Sequence, residues 1–173
     1  MGDKMDLSIE KLHVTDAEEL YKFELENRAY FEEMVPSRGD DYYRPDIFRK
    51  RHQDLLDEQA QGSSLFYLIK DENGSIVGRM NLIDIDEEEK TGHLGYRIGQ
   101  SYTKKGIATK ALKSLIEEVE KYNIKQIFAK TTQNNRASQK VLEKNGFEQI
   151  DSDEVIEMNG QQLKFVCYSW EQK

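Results

Sequence analysis

Disulfide chemistry has almost no place in this sequence, because Cys167 is the only cysteine among 173 residues. A lone thiol cannot close an intramolecular bridge, which removes the disulfide-stapled secreted scaffolds and points to a reducing, cytoplasmic setting. Long apolar runs are missing as well. Neither a membrane span nor the apolar centre of a signal peptide can be read, and Asp6 stands where a myristoylation signal needs Ser or Thr, so a soluble protein without a membrane partner is expected. Positive charge is in short supply: 25 Lys and Arg face 33 Asp and Glu, for a formal net charge of -8. That balance argues against a nucleic-acid partner, which would need a broad basic surface. Metal-ligand spacing of His, Cys and carboxylates is also lacking, so no metal is expected.

What is present is the composition of a folded chain, with 37% hydrophobic and 34% charged residues. One domain over residues 1–173 follows from that length, as a monomer or homodimer. Residues 6–13 alternate as an opening strand, and Thr15 precedes an amphipathic helix over 16–28. Residues 36–45 form a loop, and 46–62 read as a second helix closed by Gly62. Three antiparallel strands follow at 64–70, 75–86 and 93–99, the last two joined by the acidic loop 86–89. Ala108, Ala111, Leu112, Leu115, Ile116 and Val119 make one apolar stripe, so 106–122 is helical. A strand at 125–132, a helix at 135–145 ended by Gly146, and two strands meeting at Asn159-Gly160 complete the chain, with Cys167 packed in the last strand. The pattern predicts an α+β (mixed α/β) fold with helices on both faces of one sheet.

The stretch QSYTKKGIAT, residues 100–109, is unusual for an acidic chain. It leads into the 106–122 helix, whose first amides lack intrahelical partners and whose dipole adds positive charge. Gly106 lets an anion reach the backbone, and Lys104, Lys105, Lys110 and Lys113 crowd positive charge around the same end. A phosphate group suits such a site. The stretch is neither a Walker loop nor a dinucleotide fingerprint.

HLGYRIGQSYTKKGIATKAL together with TTQNNRASQKVLEKNGF resembles the GNAT-type N-acetyltransferases, most closely the Rim-type branch of bacterial ribosomal-protein N-terminal acetyltransferases. The resemblance runs from Leu7 to Trp170 and is strongest between Leu94 and Phe147. It implies a mainly antiparallel sheet splayed at its centre and acetyl-coenzyme A as donor. The family signature [R/Q]-x-x-G-x-[G/A], which cradles the donor's pyrophosphate, falls on Thr103, Lys104, Lys105, Gly106, Ile107 and Ala108, with Thr109 completing the run of amides. Thr103 replaces the usual Arg or Gln. A second element, an Asn with Ala or Ser three residues on, matches Asn135 and Ser138.

The resemblance also implies roles. The strand before the pyrophosphate loop offers an amide to the thioester oxygen, here around Ile98. Many members carry a tyrosine acid seven residues after the asparagine; this chain has Leu142, and the Rim-type branch shares that departure, which leaves Ser138 as the candidate acid. Glu157 is the preferred base, with Glu154 and His93 as alternatives. The acceptor is a primary amine, such as a basic protein N-terminus. The aromatics Tyr30, Phe31, Tyr42, Tyr43 and Phe48 among Glu32, Glu33, Asp40 and Asp41 would suit a cationic acceptor, although their helical spacing fits plain packing better. The alternatives are a small-molecule amine acetyltransferase acting on a polyamine, amino sugar or drug, and a coenzyme A-binding module without turnover.

Overall fold

The computed structural model describes residues 6–34, 36–158 and 160–172. The strands are β1 (Ser8–Lys11), β2 (Leu65–Lys70), β3 (Ile76–Asp86), β4 (Thr91–Ile98), β5 (Gln126–Thr132), β6 (Glu148–Ile150), β7 (Val155–Met158) and β8 (Gln161–Glu171). The helices are α1 (Ala17–Glu26), α2 (Arg28–Met34), α3 (Pro45–Ala60), α4 (Ile107–Val119) and α5 (Arg136–Lys144). In space the strands run β1-β2-β3-β4-β5-β8-β6, with β7 paired to β8. Only β4 and β5 pair in parallel among the described residues. The expected α+β fold, a mainly antiparallel sheet with helices on both faces, is the one observed.

Each face of the sheet has its own core, and β2 feeds both. Leu65, Tyr67 and Ile69 join the cluster under α4, where Ile107, Ala111, Leu112, Leu115 and Val119 point inward as their spacing requires. Phe66 and Leu68, one residue out of phase, join Leu20, Phe23, Phe31 and Phe48 from α1, α2 and α3. Of the aromatics weighed for acceptor binding, Phe31, Tyr43 and Phe48 are buried, as packing predicts.

Three local expectations need correction. The single helix over 16–28 stops at Asn27, where α2 starts afresh: the Asn27 side chain donates Nδ2 to Phe23 O at 2.9 Å and accepts Gln100 N–H at 2.8 Å. A contact 73 residues away thus ends α1. Thr15 is not the helix cap, because His13 and Asp16 cap a short 3-10 turn there reciprocally. A third C-terminal strand, β6, pairs with β8 where only two strands were expected. At the final hairpin Met158 pairs with Gln161, and Gly160 has φ +77; Asn159 lies outside the described residues.

Candidate active site

The β4–β5 ladder ends early. Its last parallel pair is Leu94 with Ala129, after which residues 95–98 stay with β3 and 130–132 stay with β8. The two central strands therefore part toward their C-terminal ends, leaving a free edge on each. Gly99 turns its amide to Val77 O at 2.9 Å, toward β3. Strand alternation then turns the amides of Ile98 and Tyr96 the other way, into the gap. The amide singled out around Ile98 thus has free access to whatever enters the cleft.

Directly after the cleft the chain makes an open cradle of backbone ahead of α4. Residues Gln100–Tyr102 form a 3-10 turn, and Thr103 closes it by donating Oγ1 to Gln100 O at 2.9 Å. Lys104 and Gly106 both adopt left-handed backbone, with φ of +63 and +75. Alternating handedness of this kind turns successive amides to one side. The first helical bond at this end is Lys110 N–H to Gly106 O, so the amides of Gly106, Ile107, Ala108 and Thr109 lie ahead of the ladder, and no side chain caps them. A Cβ built at Gly106 would meet nothing within 4 Å, which leaves the space above the helix mouth open. Lys104, Lys105, Lys110 and Lys113 have no ion-pair partner among the described residues. Lys105 rests over the Tyr102 ring at 5.8 Å. Asn27 fastens this segment to α1 through Gln100, and Gly99 is needed beneath it, because a Cβ there would lie 3.1 Å from the Phe23 ring.

Asn135 caps α5: its Oδ1 accepts Ser138 N–H at 3.2 Å. The Ser138 hydroxyl does something the sequence did not reveal. It lies 2.8 Å from the hydroxyl of Tyr96 on β4, a hydrogen bond that spans the opening between β4 and the helix following β5. Burial pushes the Tyr96 phenol above its ordinary range, and the bond to Ser138 opposes that only in part, so the group keeps its proton at neutral pH. Leu142, at the position of the missing tyrosine, is 1% exposed and belongs to the α4 core.

The three candidate bases stand apart from this pair. Glu157 is exposed on β7 opposite Gln162, with no hydrogen bond or ion pair among the described residues. Glu154 is taken up by Lys130 at 3.0 Å. His93 precedes the divergence and stacks on Phe128, centroids 5.4 Å apart. Of the acids near the aromatics, Glu32 and Asp40 pair with Arg28 and Asp41 lies 4.0 Å from Arg44, while Glu33 has no ion pair among the described residues.

On the sheet face opposite α4 is a cavity of about 350 Å³, lined by Pro36, Arg38, Arg79, Asn81, Gly95, Tyr96 and Arg97. Its base is an ion cluster that sequence reading missed. Glu24 of α1, completely buried, places Oε1 2.5 Å from Arg79 Nη1 and Oε2 3.1 Å from Arg97 Nη1. Arg79 also donates to the Tyr42 hydroxyl at 3.3 Å. Burial pushes the Glu24 carboxyl up, but Arg79 and Arg97 more than offset this and hold it below the ordinary carboxylate range. Glu24 is therefore a fixed anion and not a base.

The family described as Acetyltransferase (GNAT) domain matches residues 6–148. The chain is 31% identical over 144 residues to Bacillus subtilis (strain 168) Probable N-acetyltransferase YjcK, a match covering 80% of this chain and 78% of that one. It is 27% identical over 145 residues to the [Ribosomal protein uS5]-alanine N-acetyltransferase of Escherichia coli (strain K12), covering 82% and 75% of the two. The solved ribosomal-protein-S5-alanine acetyltransferase of Vibrio fischeri superposes with a TM-score of 0.88 at 21% identity, over 98% of this chain and 97% of that one. Among the described residues no helix is long and apolar enough to cross a membrane, and no group of His, Cys, Asp and Glu could hold a metal.

Proposed function

Because the chain belongs to the GNAT acetyltransferase family, whose donor is acetyl-coenzyme A, we propose that this N-acetyltransferase acetylates an α-amine at a protein N-terminus by direct attack on the thioester. One domain over residues 1–173 would do this. The observation that carries the reading is the adjacency of the open cradle at residues 104–109 and the free amides of β4. In this proposal the amides of Lys104 to Thr109 hold the pyrophosphate, aided by the nearby lysines, and Thr103 contributes the turn that presents them. The pantetheine arm lies along the free edge of β4, as an added strand would. The Ile98 amide then donates to the thioester carbonyl, where negative charge grows as the amine attacks.

Collapse of the tetrahedral intermediate releases a thiolate. Ser138 donates its proton to the sulfur and is resupplied by Tyr96, whose phenol is the stronger acid of the two; the 2.8 Å separation of the two hydroxyls puts them within reach of such a relay. Asn135 keeps Ser138 at the helix start. Glu157, exposed and without a partner, takes the amine's proton through solvent. An α-amine has a reference pKa of about 8 and a lysine amine about 10.4, so an N-terminal acceptor reaches its neutral form with roughly 3 kcal/mol less cost. The relation to the uS5-alanine enzyme supports the same class of acceptor. Thiol release from acetyl-coenzyme A, measured with N-terminal peptides, Nα-blocked lysine peptides and small amines, tests the reading. Turnover with free N-termini is expected; turnover confined to lysine side chains or small amines would refute it.

A further inference from the structure

The cavity under β4 is built for an anion, although the protein carries a net charge of -8. Cross-strand register explains its composition. Arg79 pairs with Arg97 and Asn81 with Gly95, so these four residues share one face of the β3–β4 ladder, while Met80, Tyr96, Leu82 and Leu94 face α4. Two arginines side by side on one face demand a counter-charge, and Glu24 supplies one carboxylate, with both oxygens already engaged. Arg38 adds a third guanidinium at the rim, stacked over the Tyr42 ring at 4.9 Å. Its neighbours Arg28 and Arg44 each have carboxylate partners, whereas Arg38 has none among the described residues. Three guanidinium groups thus act on one carboxylate around a single cavity.

A second observation gives the cavity a direction. Asn81 lines the cavity, and its Oδ1, buried within the wall, makes no hydrogen bond. Opposite it, Gly95 leaves open space where a Cβ would meet nothing within 4 Å, at the point where β4 loses β5. The cavity therefore has an uncharged end at Asn81 and Gly95, where β4 has lost β5, and positive charge farther along β3 and β4. Gly95, Tyr96 and Arg97, which line it, belong to the part of β4 that has lost β5 and on which the thioester is proposed to lie.

We propose that this cavity is the acceptor site and that the acceptor carries an anionic group, a carboxylate, near the amine: the amine lies at the Asn81–Gly95 end and the carboxylate meets Arg38 and Arg97. This rests on the acetyl-transfer reading above and narrows its substrate class. It runs against the expectation of a basic acceptor, since the cavity itself is lined by arginines, and Glu32 and Asp40 beside the aromatics already pair with Arg28. The guanidinium groups repel an amine that brings no anion, and they ease proton loss from one that does. The carboxylate could belong to an acidic side chain early in a polypeptide or to a free amino acid.

The experiment compares kcat/KM for peptides that differ only in Glu, Ala or Lys at the second position, for free glutamate, and for spermidine, in the wild type and in Arg38→Glu. The wild type should prefer the Glu peptide or glutamate over the Lys peptide by about tenfold or more, and Arg38→Glu should erase that preference through KM. Glutamate outpacing the Glu peptide would assign the carboxylate to a small acceptor, and the reverse order to a polypeptide. The acetyl-coenzyme A Kd, read by calorimetry, should not change in Arg38→Glu, since the cradle lies elsewhere. Equal or faster turnover of spermidine or the Lys peptide by the wild type, or an unchanged preference in the variant, overturns the inference while acetyl transfer stands. Absence of transfer to every amine overturns the functional reading, and this inference with it.

Discussion

Replacing Ser138 with alanine separates chemistry from architecture at the centre of the proposed mechanism. The Ser138 hydroxyl has one side-chain partner, Tyr96 at 2.8 Å, and its loss leaves a largely buried phenol without a bond. That costs about 1–3 kcal/mol of stability, or a Tm lower by roughly 2–4 °C per kcal/mol. The kinetic effect follows a different rule. With a thiol pKa of about 8.5, protonating the leaving thiolate near pH 7 is worth about 2 kcal/mol, so kcat should fall about 30-fold there. As pH approaches about 8.5 the thiolate leaves unaided, and the defect should shrink toward unity. Stopped assays of kcat against pH, paired with calorimetric binding of acetyl-coenzyme A, read both effects. Tyr96→Phe should reproduce the same pH-dependent loss more weakly, because Ser138 then still faces the sulfur. An unchanged kcat in Ser138→Ala, or a loss that is flat across pH, would remove the hydroxyl pair from proton transfer and leave it a structural link.

Gly106→Asp places a carboxylate in the cradle and a side chain at φ +75, costing about 1–2 kcal/mol of stability; acetyl-coenzyme A binding should disappear by calorimetry while circular dichroism stays native. Glu24→Gln breaks a buried pair and should cost about 3–5 kcal/mol, seen as a lower denaturant midpoint. Because the folded Glu24 pKa is depressed, its stabilisation is complete above the unfolded value of about 4.3 and is lost as pH falls toward the folded one; the variant should therefore show a shallower acid limb of stability. Glu157→Gln should lower kcat/KM without altering thermal stability or acetyl-coenzyme A binding, given its exposure. An untouched rate would assign proton removal to another residue or to water.

The elements that positioned the cradle were legible because periodicity and one glycine define them. The apolar stripe from Ala108 to Val119 fixes α4, and Gly106 before it marks the left-handed turn that opens the amides. The divergence of β4 and β5 came from family resemblance, since residues 93–99 read as an ordinary strand. The arginine cluster was invisible for a physical reason. Arg79 and Arg97 alternate with apolar residues like any solvent-facing strand positions, and their carboxylate sits 55 and 73 residues away on a helix whose other polar residues face water. Tyr96 was hidden likewise: its partner lies 42 residues on, and the sheet face it occupies is set by pairing with Met80. The break at Asn27 depends on Gln100, so no local capping rule could place it.

A crystal structure of the complex with coenzyme A tests the account at its root. The diphosphate should sit within about 3 Å of the amides between Lys104 and Thr109, with the pantetheine along β4 and its sulfur near Ile98 and Ser138. Coenzyme A bound elsewhere, with the mouth of α4 empty and the β4 edge bare, would contradict it.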